Sequence, residues 1–241
     1  HQYMLFFTQK GKCFWMRVYE IPEGSKTAKG RAIQNLINIE QDDKVKAFIN
    51  TQDLKDEDYI NSHYVIMATK KGQVKKTVLE QYSRPRANGI NAITVKDEDE
   101  LLEAKLTTGN SQILLAVKSG KAIRFEEDKT RPMGRNASGV RGITLGGPND
   151  EVIGMVAVSD SKTEILVVSE NGYGKRSSLE DYRTTNRGGK GVKTLSITEK
   201  TGDLVSIKNV SDLDDLMIIN RSGIAIRMDV ADLRVMGRAT Q

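Results

Sequence analysis

The stretch EILVVSENGYGKRS, Glu164–Ser177, holds an apolar run, a short polar link, a glycine and a second run carrying basic residues. Asn171-Gly172 between two β-rich runs predicts a hairpin, because glycine takes the positive φ that a tight primed turn demands. Ile165–Val168 is too short for a helix and too continuous for a strand wetted on one face, so it reads as a strand buried on both. The pattern occurs four more times: YMLFFTQKGKCFWMRV from Tyr3, YVIMATKKGQVKKTV from Tyr64, QILLAVKSGKAIRF from Gln112 and DLMIINRSGIAIRM from Asp215. The turn glycines, Gly11, Gly72, Gly120, Gly172 and Gly223, lie 61, 48, 52 and 51 residues apart. The long first interval carries an insertion around Asp53–Asp58.

A repeat of about fifty residues accommodates about four strands, the spacing of a propeller blade, and radial repetition leaves few open sheet edges. The expected fold is all-β: one propeller-like domain of about five visible four-stranded blades, six when complete. Their approximate bounds are 1–50, 51–101, 102–153, 154–204 and 205–241. Seven and ten residues after the glycine stand Val18 and Ile21, Leu79 and Tyr82, Leu179 and Tyr182, Val230 and Leu233, all expected to pack inside. Only the third repeat departs, with Glu127 and Thr130. The shared register makes Tyr82 and Tyr182 core residues instead of nucleophiles. The first hairpin opens at Tyr3 and the fifth loop would close at position 242, so both ends are expected to cut the repeat pattern of a longer protein.

Composition narrows the functions. One cysteine, Cys13, forms no internal disulfide, and with only His1 and His63 beside it supplies no Cys/His zinc site. A reducing cytoplasm is the expected compartment, and no apolar run suits a membrane span. Lys and Arg number 37 against 32 Asp and Glu, and the pI near 9.1 suits a polyanionic partner.

The cations follow the repeat. Fifteen residues after the glycine come Lys26, Arg135, Arg187 and Arg238, with Arg86 one place early, and Gly30, Gly89, Gly139 and Gly191 close the loops. The richest loop is RGGKG, Arg187–Gly191, with Gly188, Gly189 and Lys190 inside it. At eleven residues stand Arg131, Arg183 and Arg234, and at four Lys76, Arg124, Arg176 and Arg227. Lys29, Arg31, Lys75, Arg84, Arg141 and Lys175 complete the candidate DNA-binding set. Acids cluster between repeats, at Glu40–Asp43, Asp97–Glu100, Asn149–Glu151 and Asp212–Asp215, and are expected on a different part of the rim.

Evenly repeated cations suit a smooth polyanion: counterion release favours duplex DNA, and glycine-rich loops let backbone N–H groups approach phosphate. A repeated grip on a curved surface would bend the duplex without reading bases. Aromatic residues, 5% of the chain, are too few for stacking on single strands. Signals for chemistry are poor. Gly172–Ser177 is a partial GxGxxG without a following helix, and Gly24–Thr27 lacks the upstream glycine of a P-loop. No catalytic residue and no metal site is expected.

Four segments together resemble the C-terminal domain family of the bacterial gyrase A protein: IPEGSKTAKGRAIQNLINIEQ (Ile21–Gln41), GQVKKTVLEQYSR (Gly72–Arg84), SGVRGITL (Ser138–Leu145) and NGYGKRSSLEDY (Asn171–Tyr182). The resemblance covers essentially the whole chain. It implies a β-pinwheel, in which an outer strand of one blade comes from the neighbouring segment, with double-stranded DNA wrapped on its basic rim. It also implies a place in DNA gyrase, an ATP-dependent type II topoisomerase that assembles as A2B2 from a gyrase A dimer and gyrase B, cytoplasmic and nucleoid-associated. ATP, Mg and the DNA-cleaving tyrosine would belong to other domains, leaving this one without cofactor. The family's hallmark box, Gln-Arg-Arg-Gly-Gly-(Lys/Arg)-Gly, matches residues 185–191 at five places and departs at Thr185 and Asn186. Register places that stretch in the fourth repeat, so the true box is expected before residue 1. The related domain of topoisomerase IV and a propeller serving as a protein-interaction platform are the alternative readings.

Overall fold

The structure is a computed structural model and describes residues 2–240. Seventeen strands follow in chain order, grouped here by repeat. The first repeat holds β1 (Tyr3–Thr8), β2 (Lys12–Arg17) and β3 (Val45–Asn50). The second holds β4 (Tyr64–Thr69), β5 (Gln73–Val78), β6 (Ile90–Asn91) and β7 (Leu101–Thr107). The third holds β8 (Gln112–Val117), β9 (Lys121–Glu126), β10 (Val140–Arg141) and β11 (Val152–Val158). The fourth holds β12 (Glu164–Ser169), β13 (Gly174–Ser178), β14 (Val192–Lys193) and β15 (Leu204–Val210), and the fifth β16 (Asp215–Ile219) and β17 (Ala225–Asp229). The five hairpin glycines all have φ between +83 and +93°, the conformation expected of them.

Repeats two, three and four each lend a two-residue strand to the sheet before it. The sheets run β3-β1-β2-β6, β10-β5-β4-β7 and β11-β8-β9-β14, all antiparallel, followed by β13-β12-β15 and the hairpin β16-β17. At the outer edge of the fourth sheet the fifth repeat contributes a bridge, Val235 beside Arg176. This strand exchange is that of a β-pinwheel. The closing glycines make it possible. Gly89, Gly139 and Gly191 have positive φ, and a Cβ on any of them would collide with the backbone oxygen of Cys13, Val74 or Ala122 on the receiving strand.

The chain divides into two compact units, residues 1–110 with 127–142, and 111–126 with 143–241. The division follows the exchange, because 127–142 holds β10, which pairs with β5. Leu5, Phe7, Val65, Met67, Leu79, Tyr82 and Leu101 centre the first core, and Leu114, Ile165, Val167, Leu179, Tyr182 and Leu204 the second. In β8, Ile113–Val117 are all buried, as their continuous apolar run predicts. The insertion forms α1 (Glu57–Ser62), capped by the Asp56 carboxylate on the amides of Asp58 and Tyr59, and Tyr59 and Ile60 join the first core.

The positions seven and ten residues after the glycine bracket a short 3-10 turn in every repeat. Tyr82 and Tyr182 are buried there; Tyr82 donates to Ala92 O at 3.2 Å and Tyr182 meets Thr194 Oγ1. Burial raises both phenols, which suits core residues. Val18 and Ile21 depart from expectation, being 38% and 39% exposed. Among the described residues no earlier strand covers their turn.

Candidate nucleic-acid interface

The register classes of cation divide sharply once placed. The class four residues after the glycine lies inside the second hairpin strand, where it clasps the 3-10 turn of the next repeat. Arg124 donates to Leu179 O and Tyr182 O, both at 3.0 Å, and to Gln112 Oε1 at 3.1 Å. Arg176 donates to Leu233 O at 2.6 Å and pairs with Glu164 and Asp212 at 2.8 and 2.5 Å. Lys76 lies 3.5 Å from Glu127, a fully buried carboxylate that also accepts from Thr107 Oγ1 at 2.5 Å. Trp15 fills the same place in the first repeat, and its Nε1–H donates to Tyr82 O at 2.9 Å. The position therefore needs a long donor; charge is used where a carboxylate meets it, at Lys76 and Arg176, and is dispensed with at Trp15. Lys76, Arg124 and Arg176 are removed from the expected DNA-binding set: Lys76 and Arg176 are buried, and the half-buried Arg124 spends its donors on carbonyl oxygens. Arg227, exposed, is forked onto the Asp215 carboxylate.

Lys75 and Lys175, three residues after their glycines, are also buried and leave the set for the same reason. The class at fifteen residues is mixed. Lys26 and Arg86 are exposed, whereas Arg135 donates to Asn91 O at 3.2 Å and Arg238 to Asp181 O at 2.9 Å and to Lys193 O. Asn91 and Lys193 are equivalent ends of β6 and β14, so these two arginines each tie down a lent strand. Arg187 is half-buried.

The class at eleven residues behaves differently. Arg131, Arg183 and Arg234 are exposed and their side chains make no hydrogen bond or ion pair among the described residues, and the same holds for the side chains of Lys26, Lys29, Arg31, Arg84, Arg86 and Lys190. Arg141 is exposed on β10. Lys193, exposed at the equivalent place on β14, is a cation that sequence reasoning missed; its distance from the closing glycine, the same as that of Arg141, is the signal that could have found it.

In the first unit, Arg84, Arg86 and Arg135 line a concavity of about 190 Å³ with Glu80, Gln81 and Ile90. In the second, Arg124, Arg183 and Lys190 line one of about 250 Å³ whose floor is Ala122–Ile123 and whose wall is the Thr185–Val192 loop. Thr144 fixes that loop: its N–H donates to Gly189 O at 2.8 Å and its hydroxyl to Gly188 O at 2.6 Å. A trans peptide sets N–H opposite C=O, so the amides of Gly189 and Lys190 point away from Thr144. Closely spaced amides beside Arg183 and Lys190 form an arrangement suited to a phosphate oxygen.

Three of the four acidic clusters hold the opposite ends of the hairpins, whereas Asp212 and Asp215 of the fourth depart from expectation and pair with Arg176 and Arg227. Asp43, Asp99 and Asp150 accept the amides of Lys10, Lys71 and Ser119, each the residue before a turn glycine, at 3.1, 2.8 and 3.0 Å. Lys10 pairs with Glu40 and Asp42, Lys70 with Glu100, and Lys118 with Asp203. Lys10, Lys70 and Lys118 at the hairpin tips are thus matched by carboxylates, and the arginines of the eleven-residue class are not, among the described residues.

The profile of the family described as DNA gyrase C-terminal domain, beta-propeller, matches residues 2–52, 63–108, 112–159, 163–211 and 214–241, one segment per repeat. The chain belongs to this family. It is 46% identical over 242 aligned residues to the gyrase A protein of Staphylococcus aureus (strain NCTC 8325 / PS 47), covering all of this chain and 27% of that protein. The chain therefore spans about a quarter of the length of this relative. The fold matches a solved DNA gyrase A C-terminal domain at TM-score 0.84 and 24% identity, covering 99% of this chain and 76% of that one. It matches the C-terminal domain of a DNA topoisomerase IV at TM-score 0.86, also at 24% identity, covering 99% and 73%. These two structural likenesses speak to the fold, and the gyrase-like sequence agrees with the family profile.

Proposed function

We propose that this gyrase-family domain binds duplex DNA through its phosphates and bends or wraps it without reading bases. The observation that carries this is the arginine class at eleven residues: Arg131, Arg183 and Arg234 recur in register, stand exposed and have no carboxylate partner among the described residues. Arg84, Arg86, Lys190, Arg141, Lys193 and the Lys26–Arg31 loop extend the same contact, with glycine-loop amides as supplementary donors. The domain would serve the gyrase A protein of an ATP-dependent type II topoisomerase that introduces negative supercoils, joined with gyrase B as A2B2 in the bacterial nucleoid. ATP, Mg and strand cleavage belong to the other domains, and the 46% identity to a gyrase A protein supports gyrase over topoisomerase IV.

Salt titration of duplex binding tests the contact. If about six phosphates are neutralised, affinity falls about a thousandfold between about 50 and 200 mM salt, and each of Arg131→Ala, Arg183→Ala and Arg234→Ala lowers the logarithmic slope by about 0.9. A flat salt response, or charge reversal of all three without effect, would exclude the interface. In the full-length protein, supercoiling as opposed to decatenation alone separates gyrase from topoisomerase IV.

A further inference from the structure

The residue three places after each turn glycine lies on the second hairpin strand. In repeats one to four it packs beneath the cationic loop of the next repeat. In repeats one and three it is apolar, Phe14 and Ile123; in repeats two and four it is Lys75 and Lys175. Neither lysine reaches water, with 0% and 2% exposure. Lys75 Nζ donates to Arg135 O at 2.6 Å and to Ala92 O at 2.5 Å. Lys175 Nζ donates to Arg238 O at 2.5 Å, Gly237 O at 3.3 Å and Thr240 O. Arg135 and Arg238 occupy equivalent places, fifteen residues after their own glycines.

We propose that Lys75 and Lys175 are positioning residues for DNA binding: each anchors, through its Nζ, the main chain of the next repeat's cationic loop, residues 131–139 and 234–240, and so presents Arg131 and Arg234 to phosphate. The presentation rests on the function proposed above; the anchoring does not. A buried amine is costly unless its protons find acceptors, and among the described residues loop and strand carbonyls supply them. Phe14 and Ile123 show that the strand accepts an apolar side chain at this register, so the lysine serves the loop above it. Burial, with Arg135 nearby, pushes Lys75 down to about 7, and burial with Arg238 nearby pushes Lys175 down to about 8. A neutral amine still has two N–H groups, enough for both acceptors of Lys75, so the anchor does not depend on charge.

Lys75→Met and Lys175→Met in the full-length protein test this by amide exchange and by binding to a fluorescently labelled linear duplex. Exchange within 133–139 or 236–240 should accelerate about tenfold, the effect of about one net hydrogen bond. Exchange in β4 and β12 should be unchanged, the thermal midpoint unchanged or higher, and duplex affinity several-fold weaker. A stable variant with weaker binding is a split that a merely structural lysine would not produce. Unchanged loop exchange overturns the anchor, and faster exchange with unchanged affinity overturns the positioning role. A parent protein that binds no duplex removes the proposed function, and loop exchange then decides the anchor alone. Should a variant not fold, lysine-selective NMR on the wild type decides: two Nζ groups with protons slow to exchange are expected, and their absence overturns the anchor.

Discussion

Gly139 and Gly30 provide a matched pair in which the cost of strand exchange separates from the cost of backbone conformation. Both close a cationic loop with left-handed φ, +88° and +72°. A Cβ on Gly30 meets nothing within 4 Å, whereas a Cβ on Gly139 lies 2.5 Å from Val74 O and 3.2 Å from Lys75 Cβ. Gly30→Ala should therefore cost only the conformational penalty, about 1–2 kcal/mol. Gly139→Ala bears that penalty and a collision with main chain that no rotamer relieves. The lent strand must lift, loosening the Val140–Val74 and Arg141–Gln73 pairing and the Gly142 N–H bond to Gly72 O. At about 1 kcal/mol net for each of two or three hydrogen bonds, Gly139→Ala should cost about 3–5 kcal/mol. Trp15, the one tryptophan, lies in the same unit and reports both variants in denaturant titrations with unchanged slopes. Equal destabilisation by the two substitutions, within about 0.5 kcal/mol, would refute the claim that the closing glycine exists for the exchanged strand.

Lys76→Met should destabilise by about 3–5 kcal/mol because the fully buried Glu127 carboxylate loses the ammonium 3.5 Å from it, and adding Glu127→Leu should restore most of it, as a double-mutant cycle would show. Arg124→Ala should cost about 3 kcal/mol in the second unit through the three donors it loses, while the salt slope of duplex binding stays within about 0.3 of wild type, in contrast to Arg183→Ala. Lys75, lowered in the folded state to about 7 from 10.5, binds fewer protons folded than unfolded between those values, so its contribution to stability rises with pH. Relative to Lys75→Met, wild type should gain about 2 kcal/mol between about pH 7 and pH 9; a difference independent of pH would show that the amine titrates normally.

The hairpins and their period were legible because five turns each required a glycine at positive φ, and short uninterrupted apolar runs leave little choice but buried strands. The exchange of strands was less so: Ile90–Asn91, Val140–Arg141 and Val192–Lys193 are two residues long, too short for any periodicity to register. The cations misled for a different reason. Lys76, Arg124 and Arg176 recur as faithfully as Arg131, Arg183 and Arg234, and recurrence alone does not separate a side chain that faces the next repeat from one that faces solvent. What separates them is the residue found where the charge is missing. At the fourth position the first repeat has Trp15, and at the third Phe14 and Ile123 stand in for lysine; a site shared by lysine, phenylalanine and isoleucine has its side chain under cover. At the eleventh position no copy substitutes a large apolar residue, since the second repeat has Ser83 followed by Arg84, and the first has Pro22. Glu127 carries the same lesson in reverse: a carboxylate where other repeats have leucine or valine requires a buried cation, and Lys76 supplies it from the preceding repeat. A fivefold repeat is thus its own comparison set, and the copies that break the pattern reveal which charges hold the sheets together and which remain to meet phosphate.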